Sequence, residues 1–262
     1  MKNLILFDLD GTLSQPRKFI QQNVIISLKE LSNISKIGIL TGSGFEYVIE
    51  QCEDAWKHIG SIYPERIILL PCNGTQVYEW KVQQWKNVYN VDMIHELGRK
   101  KYNTLVKEIL SLQSFLVYSH DIPLTGEFIS YRKSMINWCP AGRYANTTQR
   151  QEFIDIDNNI KLRKMYLGAL INFCTKNDIN VTCVLGGQTS FDIYPTGWDK
   201  RYALKHFTDH NMYFVGDRCT GDGNDKTIYD ALLPQSFMTN SPENTIEIIK
   251  NKLIPLINET SN

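Results

Sequence analysis

Two aspartates near the beginning of the chain have the spacing of a metal-binding or acid–base pair. Asp8 and Asp10 follow the apolar run 4–7, which is typical of a buried strand. Residues two apart on a strand point to the same side, so we expect the two carboxylates to lie close together. Close carboxylates repel each other unless Mg²⁺ or a proton lies between them. Asp217, after a later apolar run, is a third candidate ligand; the alternative is that residues 8–11 only form a turn.

The elements around these aspartates favour an α/β fold. Apolar runs alternate with helical patterns, and each run ends in Gly, Asp, Thr or Ser. This alternation is typical of an open parallel sheet with helices on both faces, in which ligands bind at the carboxyl ends of the strands. The predicted strands are residues 4–7, 37–40, 67–70 and 212–215, and the predicted helices include residues 23–31 and 45–52.

The middle of the chain has a different pattern. Segments 127–132 and 181–185 alternate between apolar and polar residues, which predicts antiparallel strands with one solvent-facing side. Helical patterns cover residues 92–112 and 159–175. Together these segments predict an inserted α+β domain. The predicted boundaries are residues 1–81 and 188–262 for the core domain and residues 82–187 for the inserted domain.

Composition and charge exclude several classes of protein. The 262 residues include 28 Lys and Arg against 28 Asp and Glu, so the formal net charge is zero. Proteins that bind nucleic acid through its phosphates usually have a basic surface, and we predict no nucleic-acid partner. No apolar run approaches the roughly 18 residues of a membrane helix, and no leader is recognisable. We therefore expect a soluble, cytoplasmic protein with no membrane partner.

Polar residues recur in a fixed order at residues 7–13, at Thr41 and Ser43, at Lys200 and at residues 216–225. In order and spacing they resemble the four motifs of the haloacid dehalogenase superfamily of phosphotransferases. The resemblance implies a Rossmann-like α/β core with a parallel sheet and an inserted α+β cap domain of the C2 type. It also implies that the first aspartate of the first motif is a nucleophile that becomes an aspartyl phosphate.

The same resemblance gives roles to the individual residues. Asp8 would be the nucleophile, Asp10 the general acid and base, and Lys200 a counter-charge for the phosphoryl group. Thr41 or Ser43 would donate a hydrogen bond to the phosphate. An acid at the second position suits protonation of a departing sugar hydroxyl, which favours a phosphatase or a mutase. The residues implied to hold Mg²⁺ are Asp8, Asp10, Asp217 and Asp225.

Residues 127–132, 140–143, 149–153 and 186–202 look like segments of the eukaryotic-type phosphomannomutases, and the likeness covers nearly the whole chain. It implies interconversion of mannose 6-phosphate and mannose 1-phosphate through a bisphosphate. The implied cofactors are Mg²⁺ and a hexose bisphosphate activator, either glucose 1,6-bisphosphate or mannose 1,6-bisphosphate. Members of this family usually dimerise through the cap, so we expect a homodimer. The residues implied to bind the sugar phosphate are Arg17, Arg132, Arg143, Arg150, Ser190 and Asp192.

The chemistry of a sugar phosphate agrees with these arginines. A planar guanidinium binds a phosphate dianion through two parallel hydrogen bonds, and a cap that closes over the substrate excludes water. Two alternatives remain: a Mg²⁺-dependent sugar-phosphate phosphatase on the same fold, and a catalytically silent binding protein. Arg132-Lys133-Ser134 replaces the family's usual Arg-Asn-Gly, so the choice between mannose and glucose stays open, and we predict no extra cation site after Asp225.

Overall fold

The chain divides into two compact units, which we call the core unit and the cap unit. The computed structural model describes residues 2–60 and 64–261. The core unit contains Met1–Asn90 and Trp198–Asn262, and the cap unit contains Val91–Gly197. Within the described ranges, no helix is both long enough and apolar enough to cross a membrane.

Each unit is built on its own sheet. The core sheet has seven strands and the cap sheet has four. In chain order, the strands are β1 (Lys2–Phe7), β2 (Lys36–Leu40), β3 (Ile67–Leu70), β4 (Gln76–Lys81), β5 (Gln84–Asn90), β6 (Ile129–Tyr131), β7 (Ile136–Trp138), β8 (Val181–Gly186), β9 (Ser190–Pro195), β10 (His210–Gly216) and β11 (Ser236–Met238).

Helices connect these strands, and several of them begin at recognisable caps. The side chain of Asn146 accepts the backbone N–H of Gln149 in a capping box, and Ser241 caps a helix that has Pro242 in its first turn. Short 3-10 segments cover residues 64–66, 72–74 and 200–206. The helices are α1 (Gln22–Ser32), α2 (Phe45–Gly60), α3 (Met93–Leu97), α4 (Arg99–Ser119), α5 (Thr147–Ile160), α6 (Leu162–Lys176), α7 (Lys226–Ala231), α8 (Pro242–Ile248) and α9 (Ile254–Ser261), and a π-helical stretch at Ile249–Leu253 joins the last two.

The core sheet places β1 near its centre. The strand order is β11-β10-β1-β2-β3-β4-β5; the first five strands run parallel, and β4 and β5 are antiparallel. Leu4, Ile5, Leu6 and Phe7 are 0% exposed, which explains why this strand is an unbroken apolar run. Because β1 pairs with both β10 and β2, the polar residues after these three strands meet at one edge, as the sequence predicts.

The cap sheet is antiparallel, with the order β6-β7-β9-β8. Trp138 of β7 stacks on Phe191 of β9 with 4.4 Å between ring centroids, and both side chains are fully buried. Asn137 and Asp192, which pair with each other in the next register, point to the opposite face. The cap sheet therefore has one apolar and one polar face, the arrangement that the alternating sequence predicts.

The chain passes from one unit to the other at different residues from those expected. The core unit extends past residue 81 to Asn90 because β5 pairs with β4 in the core sheet. The cap unit extends past residue 187 to Gly197 because β9 pairs with β7 and β8. The alternating pattern of β5 resembles that of the insertion because β5 is an edge strand whose side chains stay largely exposed.

Three predicted helices also differ in extent. The helix expected at 45–52 continues through α2 to Gly60. The pattern at 92–112 contains both α3 and α4, which are separated at Gly98, whose φ of +77° ends the first helix. The pattern at 159–175 spans the end of α5 and most of α6, with Lys161 in the left-handed region between them.

Candidate active site

The carboxyl ends of β1 and β10 bring acidic residues of the core unit close to a buried lysine. Asp8 follows β1, and its backbone N–H donates to the carbonyl of Val215 at 2.9 Å, which extends the pairing with β10. Lys200 begins the 3-10 segment 200–206 and is 1% exposed. Its Nζ lies 2.5 Å from Oδ1 of Asp8 and 2.5 Å from Oδ1 of Asp225. These two ion pairs hold the lysine between the carboxylates.

A third carboxylate completes this cluster, which we call the carboxylate site (Asp8, Lys200, Asp217 and Asp225). One carboxylate oxygen from each of the three aspartates lies within 4.8 Å of the others. Among the described residues, no partner donates to the buried Oδ1 of Asp217. Gly11, at φ +88°, packs against the Asp217 carboxylate, which a Cβ at this position would overlap. When ionised, three negative charges face one positive charge, and this set of oxygen donors fits a divalent cation.

Burial and like charges shift the pKa values in this cluster. Burial, followed by the charge of Asp225, raises the pKa of Asp8 well above its ordinary value, although Lys200 opposes the shift. The same two causes raise the pKa of Asp217 to about 6. Burial alone would lower the pKa of Lys200, but Asp225 and Asp8 outweigh burial and raise it. A bound cation would favour ionised Asp8, the form that can attack phosphorus.

Asp10 lies in different surroundings from Asp8. It lies beyond the last residue of β1, so the strand alternation that predicted its direction does not extend to it. Its Oδ1 accepts hydrogen bonds from the Tyr47 hydroxyl at 2.7 Å and from the backbone N–H of Arg17 at 3.3 Å. The three carboxylates that lie within 4.8 Å of one another do not include Asp10. Its assignment as a metal ligand therefore stays a prediction.

Thr41 and Ser43 lie where β2 leads into α2. Thr41 is 4% exposed, and its Oγ1 accepts the backbone N–H of Ser43 at 3.1 Å, so the hydroxyl proton can go to another acceptor. The N–H of Asn73 donates to the Thr41 carbonyl at 2.8 Å, which ties this loop to the chain after β3. Both residues lie at the sheet edge that carries the carboxylate site, and their contact with phosphate stays a prediction.

A second polar cluster, the cap network, lies on the polar face of the cap sheet and is centred on Asn137. Asn137 is 3% exposed, and its Nδ2 donates to Oδ1 of Asp192 at 2.7 Å and to Oγ of Ser190 at 3.0 Å. Its Oδ1 accepts from Nη1 of Arg143 at 2.8 Å. An arginine can only donate and a carboxylate can only accept, so these partners fix which end of the amide faces which residue. One side chain thus joins three of the predicted substrate-binding residues.

Arg150 reaches the same part of the cap unit from α5. Its Nη1 donates to Oγ1 of Thr189 at 3.2 Å, one residue before Ser190. Both Arg143 and Arg150 are partly exposed, so water or an anion can reach them. Arg17 belongs to the core unit and is exposed; its φ of +61° places it in the left-handed region.

Arg132 occupies a tight turn between β6 and β7. Its N–H donates to the carbonyl of Met135 at 2.8 Å, and the N–H of Ser134 donates to the Arg132 carbonyl at 2.8 Å. Lys133 within this turn has a φ of +64°, a conformation that costs an L-residue about 1–2 kcal/mol. Lys133 therefore lies in a turn conformation that favours glycine or asparagine.

Two residues that sequence reasoning missed link predicted site residues to each other. Asn137 is a polar residue between Ile136 and Trp138 in a buried strand, and that exception to the apolar pattern is a usable signal. Tyr47 gives no such signal, because a tyrosine in the first turn of an amphipathic helix is unremarkable. Burial first, and the neighbouring Asp10 second, raises the pKa of Tyr47, so its hydroxyl keeps its proton.

Comparison with known proteins places this chain among sugar-phosphate enzymes. The model of a family described as eukaryotic phosphomannomutase matches residues 24–255. The phosphomannomutase of Schizosaccharomyces pombe is 33% identical over 253 residues, which are 95% of this chain and 93% of that protein. The phosphomannomutase of Saccharomyces cerevisiae is 32% identical over 252 residues, with the same two coverages.

Solved structures agree on the fold. An IMP-nucleotidase from Plasmodium falciparum superposes with a TM-score of 0.66 at 11% identity, covering 96% of this chain and 69% of that one. A haloacid dehalogenase-like hydrolase from Bacteroides thetaiotaomicron superposes with a TM-score of 0.57 at 13% identity, covering 96% and 99%. At these identities the likeness shows the fold alone. It confirms the predicted α/β core with an inserted cap.

Proposed function

Because the chain belongs to the eukaryotic phosphomannomutase family, we propose that it interconverts mannose 6-phosphate and mannose 1-phosphate through an aspartyl phosphate on Asp8. The observation that carries this proposal is the carboxylate site: a buried aspartate that touches a buried lysine and lies within 4.8 Å of two further carboxylates. A carboxylate that approaches a phosphate dianion needs positive charge beside it, which Lys200 and a cation held by the carboxylates would supply.

The reaction we propose has two matching halves. A carboxylate oxygen of Asp8 attacks a phosphorus of the hexose bisphosphate, the P–O bond to the sugar breaks, and Asp10 gives its proton to the departing sugar oxygen. The resulting hexose monophosphate leaves, and a substrate monophosphate binds with its free hydroxyl towards the aspartyl phosphate. That hydroxyl oxygen attacks the phosphorus, the P–O bond to Asp8 breaks and Asp10 takes up the hydroxyl proton, which regenerates Asp8 and forms a new bisphosphate. The new bisphosphate turns round and transfers its other phosphoryl group to Asp8, so the isomeric monophosphate is released and the added bisphosphate is needed only to start the cycle.

Several core residues would stabilise the charge of the transferring phosphoryl group, each in a different way. Asp8, Asp217 and Asp225 would hold Mg²⁺, and Asp10 is a further predicted ligand; the ion would supply positive charge to the transferring phosphoryl oxygens. Lys200 keeps its charge in the buried site and offsets the charge of the phosphoryl group from its position beside Asp8. Thr41 and Ser43 would donate hydrogen bonds to the same group.

The cap arginines would bind the phosphate that is not transferred. Arg132, Arg143 and Arg150, with Arg17 of the core unit, present guanidinium groups suited to a dianion, and Ser190 and Asp192 would hold sugar oxygens. Mannose 6-phosphate and mannose 1-phosphate both carry one such dianion. The same arginines can therefore hold either end of the sugar while the other end reacts.

We also propose a homodimer formed through the cap unit. Large apolar side chains of α4 and α6 are more than 40% exposed, and a helical surface of this kind is typical of an interface. The mass of the protein by light scattering, about 61 kDa for a pair of 30.3 kDa chains, tests this directly. The exposed side chains are Leu110, Phe115, Tyr118, Met165 and Ile171.

A single mixture separates this proposal from the phosphatase alternative. Mannose 1-phosphate, Mg²⁺ and a trace of glucose 1,6-bisphosphate are followed by phosphorus NMR. A mutase gives mannose 6-phosphate with no inorganic phosphate, a phosphatase gives stoichiometric inorganic phosphate, and a silent binding protein gives neither. Asp8→Asn should lower turnover at least about a thousandfold while leaving the folded structure intact.

A further inference from the structure

Tyr47, which the proposed reaction does not use, connects two of its residues. Its hydroxyl donates to Oδ1 of Asp10 at 2.7 Å and accepts from the backbone N–H of Arg17 at 3.1 Å. The same N–H lies 3.3 Å from Oδ1 of Asp10. Because Arg17 can only donate here, the single hydroxyl proton of Tyr47 points at the carboxylate.

Both contacts at the Asp10 carboxylate fall on the same oxygen. In the part of the chain that the structure describes, the hydrogen bonds to this side chain come from Tyr47 and Arg17, and both end on Oδ1. A carboxylate oxygen offers two lone pairs, so two donors fill Oδ1. Oδ2 is left as the oxygen that can exchange a proton with a substrate.

From this geometry we propose that Tyr47 is a positioning residue for the general acid and base: it fixes the rotation of the Asp10 carboxylate and leaves Oδ2 to carry the proton. The inference rests on the proposed function, since it needs Asp10 to protonate a sugar oxygen. Tyr47 is well placed for this task, because it lies in the first turn of α2, three residues after Gly44. A side chain on a helix is held more rigidly than one on a loop.

The contact with Arg17 has a smaller role. Arg17 holds a left-handed conformation, which is costly for a residue with a Cβ, and its N–H is held by two acceptors. Removal of the Tyr47 hydroxyl takes away one acceptor and leaves Asp10 as the other. We therefore expect proton transfer to suffer more than phosphate binding.

The test compares leaving groups that need a proton with one that does not. With sugar phosphates, the departing oxygen takes a proton from Asp10. With 4-nitrophenyl phosphate, Asp8 attacks phosphorus and 4-nitrophenolate leaves as the anion, so no acid is required. In the full-length protein, Tyr47→Phe should lower kcat for mannose 1-phosphate, measured with Mg²⁺ and glucose 1,6-bisphosphate, by about tenfold. The KM for mannose 1-phosphate and the rate of 4-nitrophenolate release in the first turnover should each change less than about twofold.

Two further variants make the outcome specific. Tyr213→Phe removes another buried tyrosine hydroxyl, which accepts from Asn211 at 2.9 Å, and should change neither reaction. Asp10→Asn should show the same leaving-group preference as Tyr47→Phe, with a larger loss. The positioning role is overturned if Tyr47→Phe loses activity equally with both substrates while Asp10→Asn does not. It is also overturned if Tyr47→Phe loses no activity with the sugar phosphate. Equal losses in Asp10→Asn would overturn the proposed role of Asp10 and the inference with it.

Discussion

The core unit and the cap unit arrange their polar residues in opposite ways. In the core, Lys200 and Asp225 have side chains that are 0% exposed, and full charges touch each other directly. In the cap, the charged residues Arg143 and Asp192 are partly exposed and are joined through the neutral amide of Asn137. The first arrangement is buried and strongly charged, whereas the second is partly open to solvent.

The difference suits the roles that we propose for the two sites. A buried charge cluster cannot relax when the reaction moves charge, so it stabilises a transition state without reorganising. Its cost is that removing Lys200 leaves buried carboxylates without a counter-charge. A partly exposed network that includes a neutral amide costs less to break, and an incoming phosphate can replace one of its hydrogen bonds.

The largest effect is expected when the carboxylate site loses the positive charge of Lys200. Lys200→Met leaves Asp8 and Asp225 buried without their partner, so we expect a loss of about 3–5 kcal/mol in the free energy of unfolding. Turnover should be undetectable. Unfolding in urea with EDTA present measures the loss, and addition of Mg²⁺ should restore part of it. A stability equal to that of the unmodified protein would contradict the coupling of these charges.

A smaller effect is expected from charging the centre of the cap network. Asn137→Asp places a carboxylate 2.7 Å from that of Asp192, so the two repel, and the new charge holds Arg143 away from the phosphate that we propose it binds. We expect KM for mannose 1-phosphate to rise about tenfold or more and kcat to change much less. Asn177→Asp, at the exposed end of α6, is the matched control and should leave both constants unchanged.

Metal binding at the carboxylate site of the core unit should depend on pH. The raised pKa of Asp217, about 6, means that the folded protein holds this proton more tightly than the unfolded chain does. The metal-free protein therefore gains stability from this group as pH falls from about 6 towards 4, and a bound proton competes with Mg²⁺. The rise in unfolding temperature on changing EDTA for Mg²⁺ should be larger at pH 7.5 than at pH 5. An equal rise at both values would contradict the assignment of Asp217.

The smallest effect is expected at the turn that carries Arg132. Lys133 has a φ of +64°, and glycine or asparagine adopts this conformation at lower cost. Lys133→Asn should raise the free energy of unfolding by up to about 1 kcal/mol. The KM of the same variant for mannose 1-phosphate and for glucose 1-phosphate, compared with that of the unmodified protein, reports whether this turn affects sugar preference. A loss of stability would show that the lysine side chain stabilises the turn.

Local sequence patterns were sufficient for most of the framework. The apolar run before Asp8 predicted β1, and the equivalent runs predicted β2, β3 and β10, because strands buried on both faces must be apolar throughout. The ordered motifs predicted the family and the fold, and both predictions are confirmed. The unit boundaries could not be predicted from composition, because an edge strand such as β5 has the same alternating pattern as the strands of the insertion.

By itself, the sequence determined the candidate residues: an aspartate after each of two central strands, a lysine, and a set of arginines at fixed spacing. Only the tertiary structure decided how they pair. Lys200 joins Asp8 and Asp225, which lie far apart in the chain, and Asp10 turns to Tyr47 instead of Asp8. The physical reason is that side-chain direction can be predicted along a regular strand, whereas beyond its last residue the direction depends on contacts with distant parts of the chain.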